Sequence, residues 1–527
     1  MTIRTLRSLA LAALGCTVAG CVVGPNFVKP KPKVPPRWSA TAKANGTEGA
    51  DHVTSGPART AAWWSSFKDP TLTALVEQSA SQNLDIKEAV LRIEEAQAQT
   101  AVVAGGLWPS LSANASWSRE RISTNTPNGA IFGLNFPGLP PTVTNPFNEY
   151  QLGLGASWTL DLFGTERRAL EAANAQMQAA VEGEHAAVLT MVSDVAATYI
   201  DLRGAQARRA ILERSLATQR DLLQLTRDRR NAGLTSDLDV QNAKAEVGTT
   251  QAQVPLADRV ITVDINQLSQ LMAKPPEALR TELAQARPVP PVPPVVPIGL
   301  PLALARRRPD IRQAEADLHA ATAEIGIAIS DYFPQLTLTA AGGYQAEGLS
   351  KLISAASGFA SLGPAIELPI FEGGRIRATV RLRRLQAKEA AVIYAQTVLT
   401  ALNQVEDALA AYGSDQARRA SLQTAVEASR NARMLARQRY ESGVANFIDV
   451  LDAERTEEQN ELALADATTA VSADLVQLYR ALGGGWQSGG AGRSNLFQSS
   501  DSAGSAPRPA PRDASAGVKV AAADGIK

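Results

Sequence analysis

The chain of 527 residues contains two copies of one pattern. Residues 85–89 read DIKEA and residues 310–314 read DIRQA, an offset of 225. The same offset aligns WPSL at 108–111 with FPQL at 333–336. A repeat of this length predicts two halves that fold alike, so each half must bury its apolar surface in a similar way.

The offset between the copies changes further along the chain. LDLF at 160–163 aligns with LPIF at 368–371 at an offset of 208, so the first copy carries 17 extra residues before this point. These residues fall within about 121–150, a stretch rich in Pro, Asn and Gly. Such a composition is typical of a loop.

Each copy contains two segments in which apolar and polar residues alternate with a period of two, as in half-buried strands. Their length is close to the roughly 9–11 residues with which a tilted strand crosses a bilayer, apolar toward lipid and polar toward a lumen. A soluble sandwich is the alternative, although four strands among so much helix would make a very small one. The predicted strands are about 110–119, 151–162, 335–345 and 360–371.

Long helical patterns follow the second strand of each copy, with apolar residues every three or four positions as in coiled coils. No proline interrupts residues 165–231, so one helix would reach roughly 100 Å at 1.5 Å per residue. Residues 375–442 form the equivalent stretch. Gly233 and Gly443, at an offset of 210, end the two patterns. A returning helix follows each glycine, which predicts two long helical hairpins.

The N-terminus, residues 1–20, has the basic end and short apolar stretch of a secretory signal peptide. The small residues at 18–20 precede Cys21 and resemble a bacterial lipobox, in which the cysteine carries a lipid and begins the mature chain. Val22 after it favours the outer membrane, by resemblance to other bacterial lipoproteins. Cleavage by the general signal peptidase, and a lipobox at Cys16, are the alternatives.

Composition indicates the remaining domain boundaries. Pro-rich stretches are extended, and stretches rich in Gly, Ser and Ala have little apolar surface to bury. The expected divisions are a lipidated N-terminal tether at 21–61, a first copy at 62–287, a Pro-rich linker at 288–301, a second copy at 302–486 and a disordered tail at 487–527.

Charge and rare residues exclude several classes of protein. The 52 Lys+Arg residues balance 52 Asp+Glu residues, whereas a nucleic-acid binder would have a basic excess. Two Cys and three His cannot form a zinc cluster, a disulfide framework or an evident His-centred catalytic site. We therefore expect no enzyme, no metal and no cofactor beyond the covalent lipid at Cys21. A periplasmic hydrolase would need a nucleophile–His–acid arrangement, for which the sequence gives no sign.

The strands and the hairpins together predict an oligomer. Four lipid-facing strands cannot close a barrel, and open strand edges are not tolerated in lipid. Other copies of the chain must therefore complete the barrel, giving 8, 12 or 16 strands around a polar lumen. The physical expectation is a lipid-anchored oligomeric pore with a long helical extension.

Several motifs carry a resemblance to a known family. They are CVVGPNF at 21–27, WW at 63–64, WTLDLFG at 158–164, RRPDI at 307–311, YFP at 332–334, LPIF at 368–371, YESG at 440–443 and DVLD at 449–452. With these motifs the sequence resembles the TolC/OprM-type outer-membrane efflux factors, in their NodT-like lipoprotein branch, over roughly residues 21–485.

The resemblance implies an α+β membrane protein. In this family a homotrimer forms a 12-stranded transmembrane β-barrel, four strands from each protomer, continued by a long α-helical periplasmic barrel. The implied function is a passive exit duct for small molecules in the bacterial outer membrane. The implied partners are a periplasmic adaptor (membrane fusion protein), an inner-membrane pump and outer-membrane lipid. The sequence leaves the exported compound, the adaptor and the type of pump open.

The resemblance also assigns residues near the two hairpin tips. Asp449 and Asp452 match acidic positions at a narrow periplasmic entrance, with ordinary solvated carboxylates as the alternative. Asp239 and Tyr440 match positions that tie neighbouring hairpins in the closed state, with simple packing of Tyr440 as the alternative. The positions that match adaptor-docking tips are Gly233, Leu234, Thr235, Gly443, Val444 and Ala445, the last where a relative has an arginine tether.

A second function from another class also fits the long helices. A trimeric coiled-coil surface protein or adhesin would have the same helical pattern without conducting solutes. Such a protein has no reason to carry duplicated membrane-length strands, so the sequence favours the channel.

Overall fold

The computed structural model describes residues 22–32, 34–39, 53–54, 56, 61–123, 125–126 and 145–489. The predicted signal peptide, the lipidation site at Cys21, most of the extra loop of the first copy and nearly all of the predicted tail lie outside these residues. None of the helices in these residues combines the length and the hydropathy of a transmembrane span.

The first copy folds into two short helices, two strands and a helical hairpin. Asp69 caps the first helix, since its side chain accepts hydrogen bonds from Thr71 N and Leu72 N. The elements are α1 (Pro70–Gln82), α2 (Leu84–Gly105), β1 (Ser110–Glu120), β2 (Phe147–Leu160), α3 (Thr165–Asn231) and α4 (Asp237–Leu271).

The second copy repeats this order after two short connecting helices. The connecting helices are α5 (Arg280–Leu283) and α6 (Pro301–Arg307), and the repeated elements are α7 (Pro309–Ser330), β3 (Gln335–Ala346), β4 (Gly358–Glu367), α8 (Arg375–Glu441) and α9 (Phe447–Ala481).

The long helices agree closely between the copies. Helices α3 and α8 both have 67 residues, and α4 and α9 both have 35. Each pair is related by the offset of 210 that the sequence shows. The strands differ more from expectation. Strand β2 begins at Phe147 rather than near 151, and β4 ends at Glu367 rather than near 371. Pro369 has no N–H with which to extend the ladder.

Strands β1 to β4 form one antiparallel sheet in the order β1-β2-β3-β4, and residues 53–54 pair in parallel with residues 296–297 as a separate two-stranded sheet. Strands β2 and β3, one from each copy, pair in the middle, with Leu154 opposite Gly342. Among the described residues, the outer strands β1 and β4 each have one neighbour, so both edges of the sheet are unpaired there.

The register separates the sheet into two different faces, because directly paired residues of antiparallel strands point to the same side. One face carries Leu111, Ala113, Ala115, Trp117, Tyr150, Leu152, Leu154, Ala156, Trp158, Leu160, Leu336, Leu338, Ala340, Tyr344, Leu362 and Ile366. The opposite face carries mainly Ser, Thr, Asn, Gln and Gly. Large apolar side chains stay exposed on the first face, among them Leu111 at 73% and Leu362 at 76%.

The helices pack around α3. Helix α2 lies along α3, α7 packs between α3 and α8, and α9 contacts both α8 and α3. The main core forms where these helices meet the segment 61–67, and it includes Trp63, Val195, Tyr199 and Leu475. Trp63 stacks on Tyr479 with ring centroids 5.1 Å apart. A second, smaller apolar cluster lies at the hairpin tips.

The N-terminal segment and the Pro-rich linker are packed on this frame. Arg168 donates to the carbonyls of Val23 and Gly24 and to Asn26 Oδ1. Further along, Trp38 is 1% exposed and donates its Nε1 to Gly299 O. These residues of the expected tether are therefore packed against the rest of the chain. Their carbonyls accept hydrogen bonds from α3, and Trp38 donates to the Pro-rich linker.

Candidate functional site

The two hairpin tips have the same backbone geometry. Gly233 and Gly443 adopt φ values of +73° and +79°, which a residue with a side chain rarely adopts. Leu234 N donates to Arg229 O at 2.8 Å, and Val444 N donates to Arg439 O at 2.9 Å. These are the hydrogen bonds of Schellman motifs, so the glycines end α3 and α8 at matching positions.

The returning helices begin with matching caps. Asp239 Oδ2 accepts hydrogen bonds from Ser236 N at 3.2 Å and from Thr235 Oγ1 at 2.5 Å. Asp449 Oδ2 likewise accepts from Asn446 N at 3.1 Å. Burial opposes the ionisation of Asp239, but the hydrogen bonds from Thr235 and Ser236 outweigh it and lower the pKa of this carboxyl group. Both acids therefore stabilise the first turn of their own helix.

The tip cluster joins the two hairpins of one chain. Its buried members come from all four long helices and are Leu222, Leu223, Ala243, Tyr440, Phe447, Val450 and Leu451. Tyr440 is 2% exposed and meets Phe447 edge to face, with ring centroids 6.0 Å apart. The Tyr440 hydroxyl is buried and has no hydrogen-bond partner among the described residues.

The predicted gate pair is not hydrogen-bonded within one protomer. Asp239 uses its carboxylate to cap α4, while Tyr440 is held by packing among apolar side chains. A bond between them in the assembled channel stays a prediction.

Arg229 is a contact residue that the sequence did not single out. Its Nη1 donates to Tyr440 O at 2.9 Å and to Glu441 O at 3.4 Å, at the C-terminal end of α8. Its guanidinium carbon also lies 4.5 Å from the centre of the Tyr440 ring. One cation of the first hairpin therefore binds the last turn of the second, where a positive charge is favourable. The only available signal was the repeat, which aligns Arg229 with Arg439.

The predicted entrance acids lie on the outside of the tip. Asp449 and Asp452 are both exposed on the first two turns of α9. Their spacing of three residues places them on one side of the helix. In the predicted docking turns Gly233, Leu234, Gly443 and Val444 are exposed, whereas Thr235 and Ala445 are half-buried. Each turn carries an exposed aliphatic pair at matching positions, Leu234 with Leu238 and Val444 with Ile448.

The chain start lies at the junction of sheet and helix. Val23 N donates to Phe163 O at 3.1 Å, and a Cβ on Gly164 would lie 2.9 Å from Val22. Phe163 stacks on Phe333 of the second copy, with ring centroids 4.6 Å apart. Cys21 itself lies outside the described residues, but its neighbour Val22 lies against Gly164, the residue that precedes α3.

Comparison with known proteins agrees with this architecture. Residues 75–274 and 300–484 match the family model described as outer membrane efflux protein. Nodulation protein T of Rhizobium leguminosarum bv. trifolii is 32% identical over 474 residues, covering 89% of this chain and 95% of that protein. Outer membrane protein OprJ of Pseudomonas aeruginosa is 32% identical over 482 residues, covering 90% and 95%.

Solved structures show the same fold. The outer-membrane channel OprN superposes with a TM-score of 0.80 and 35% identity, covering 89% of this chain and 100% of that chain. The outer membrane protein VceC of Vibrio cholerae gives a TM-score of 0.72 and 26% identity, covering 81% and 100%. The chain therefore belongs to the outer membrane efflux protein family.

Proposed function

We propose that this chain forms the outer-membrane channel of a tripartite efflux system and acts as a passive exit duct for small molecules. The observation that carries the proposal is the sheet, with one continuous apolar face, one polar face and two unpaired edges. An apolar face suits lipid, a polar face suits a water-filled lumen, and lipid does not tolerate open edges.

Three copies would join β1 of one protomer to β4 of the next and close a 12-stranded barrel. The trimer is the state implied by the family resemblance, and the unpaired edges support closure between protomers. Helices α3 and α8, with 67 residues each, would then extend roughly 100 Å into the periplasm at 1.5 Å per residue.

Energy for transport would come from an inner-membrane pump, linked to this channel by a periplasmic adaptor. The exposed turns at 233–235 and 443–445, with their aliphatic side chains, are the surfaces we assign to adaptor docking. Relatives named as solvent and antibiotic efflux pump outer membrane proteins support small toxic organic compounds as the exported class.

A lipid on Cys21 would anchor each protomer. The contact of Val22 with Gly164, between the sheet and α3, supports this assignment, because a lipid on the preceding residue would then start near the proposed membrane boundary. An acyl chain contributes about 0.8 kcal/mol per buried CH₂.

At the tips, Asp449 and Asp452 of three protomers would place six carboxylates around the periplasmic entrance and favour cations. The hydrogen bond between Asp239 and Tyr440 would act in the closed assembly. The buried, unpartnered Tyr440 hydroxyl supports it, since that donor would gain its missing acceptor.

Planar-bilayer recording with two matched variants tests the proposed channel. Leu154→Arg places a charge on the apolar face, at a cost of about 2–4 kcal/mol near the bilayer midplane. Ser157→Arg places the same charge on the polar face of the same strand. We expect the first variant to fail to insert and the second to insert with a shift in ion selectivity toward anions.

Equal insertion of both variants would contradict the assignment of the two faces. A purified trimer that never conducts would instead support the coiled-coil surface protein.

A further inference from the structure

A polar cavity of about 170 Å³ lies between the two hairpins of the chain, close to the tip cluster. Its walls come from α3, α8 and α9. Glu454 of α9 lines it, three residues beyond Leu451 of the tip cluster, and Gln219 of α3 lines it from the other hairpin. The cavity has no part in the barrel, the entrance or the docking turns described above.

Three buried acceptor atoms of the residues that line this cavity have no hydrogen-bond partner within the described part of the chain. They are both carboxylate oxygens of Glu454 and the Oε1 atom of Gln219. Glu454 is 6% exposed and Gln219 is 4% exposed, so bulk water does not satisfy them. The amide nitrogen of Gln219 donates to Glu458 Oε2 at 3.0 Å, which fixes the orientation of the amide. Buried acceptors without donors are uncommon and require an explanation.

The other acids around the cavity already have partners. Glu457 pairs with Arg433, and Glu461 pairs with Arg214 at 3.3 Å. Among the described residues Glu454 forms no ion pair and accepts no hydrogen bond, although Arg433 and Arg437 act on its charge from a greater distance. Glu458 also forms no ion pair, but it accepts hydrogen bonds from Gln219 and Thr250. A buried charge without a partner is strongly unfavourable unless it is neutralised.

We propose that Glu454 and Gln219 bind one small monovalent cation of the alkali-metal type, which joins the two hairpins next to the tip. Carboxylate and amide oxygens are the ligands that hard cations prefer. One positive charge balances one carboxylate. The described residues contain no group of three or more His, Cys, Asp or Glu side chains able to hold a metal ion, so the proposed site consists of one carboxylate and one amide. The volume leaves room for a few waters, at about 30 Å³ each.

Protons compete with the cation for Glu454. Burial raises the pKa of Glu454 to about 7, even though Arg433 and Arg437 lower it. The cation is therefore bound above this pH and displaced below it. The charged groups around Glu454 are Arg433 and Arg437 of α8, Glu457, Glu458 and Glu461 of α9, Glu246 of α4 and Arg214 of α3.

Crystals of the full-length channel grown in a rubidium salt test the site, because Rb⁺ has an anomalous signal. At about pH 8.5, above the Glu454 pKa of about 7, we expect an anomalous peak between Glu454 and Gln219. We expect its loss in Glu454→Gln, its loss near pH 5.5, and its persistence in Glu427→Gln, which neutralises an exposed acid of α8.

Thermal unfolding supplies a second readout in solution. A ligand that binds the native state raises the unfolding midpoint. Replacing N-methylglucamine by Rb⁺, at constant ionic strength and about pH 8.5, should therefore raise the midpoint of the wild type and of Glu427→Gln. The midpoint of Glu454→Gln should not change. The proposal would be overturned if the wild type shows no anomalous peak and has equal unfolding midpoints in both salts. The cavity would then hold only water, with Glu454 protonated. A peak that persists in Glu454→Gln would overturn it as well.

Discussion

Arg229 is expected to hold the two hairpins of each protomer together at the tip. Replacing it by methionine keeps much of the aliphatic stem and removes the guanidinium. The variant loses the hydrogen bonds to Tyr440 O at 2.9 Å and Glu441 O at 3.4 Å, together with the contact to the Tyr440 ring at 4.5 Å.

The magnitude follows from these contacts. Hydrogen bonds from a charged donor contribute about 1.5–3 kcal/mol. A cation over an aromatic ring contributes about 0.5–1 kcal/mol, and a cation at a helix C-terminus about 0.3–1 kcal/mol. The buried Nε of Arg229 has no hydrogen-bond partner among the residues that the structure describes, and the cost of burying it offsets part of this gain. We take about 2 kcal/mol as the net effect for each protomer, which corresponds to roughly 30-fold in a local opening equilibrium.

Hydrogen exchange measured by mass spectrometry is the matching assay, because it reports local opening directly. Amides of the tip region, in peptides that span 440–451, should exchange roughly 30-fold faster in Arg229→Met. Arg230→Met is the control, since the Arg230 side chain forms an exposed pair with Asp237 at 3.5 Å, and such pairs contribute little. Equal protection in both variants would refute the role of Arg229.

Four further predictions concern other residues. Tyr440→Phe and Asp239→Ala should each raise single-channel conductance in the absence of adaptor, because each removes one partner of the proposed closed-state hydrogen bond. If both variants conduct like the wild type, helix packing alone holds the channel closed. Combined Asp449→Asn and Asp452→Asn should weaken block by multivalent cations, and unchanged block would show that these acids serve only as helix cap and solvated charge. Mass spectrometry of the mature N-terminal peptide should find acylated Cys21, whereas unmodified Cys21 or a chain starting at Cys16 would contradict the assignment. Burial, and to a smaller extent the charge of Asp201, raises the pKa of Asp264 to about 6. The contribution of Asp264 to the free energy of unfolding should therefore fall as pH rises from about 4 to 6. Asp264→Asn should raise the unfolding midpoint near pH 8 and change it little near pH 4.

The sequence predicted the local structure well where a regular pattern continues for many residues. The proline-free stretch at 165–231 became α3 with the same limits, and glycines end both long helices as expected. Strand limits were less accurate at 147 and 367, because a strand ends where its ladder partner ends, and the partner lies in another part of the chain.

The candidate site was predictable only in part. Gly233, Gly443 and the acids near them were visible through the repeat and the family resemblance. The capping roles of Asp239 and Asp449 follow from local spacing and could have been read from Ser236 and Asn446 three residues earlier. The contacts of Arg229 could not, since Tyr440 is 211 residues away.

The sequence alone determined which elements form and which face of each is apolar, because periods of 2 and 3.6 residues are local properties of strands and helices. The tertiary structure decided the register that joins the two copies in one sheet, the contact of Arg229 with the end of α8, and the burial of Glu454 between the hairpins. Each of these depends on how elements about 200 residues apart pack against each other. A local pattern places a residue on a face, and only packing selects the partner that this face meets.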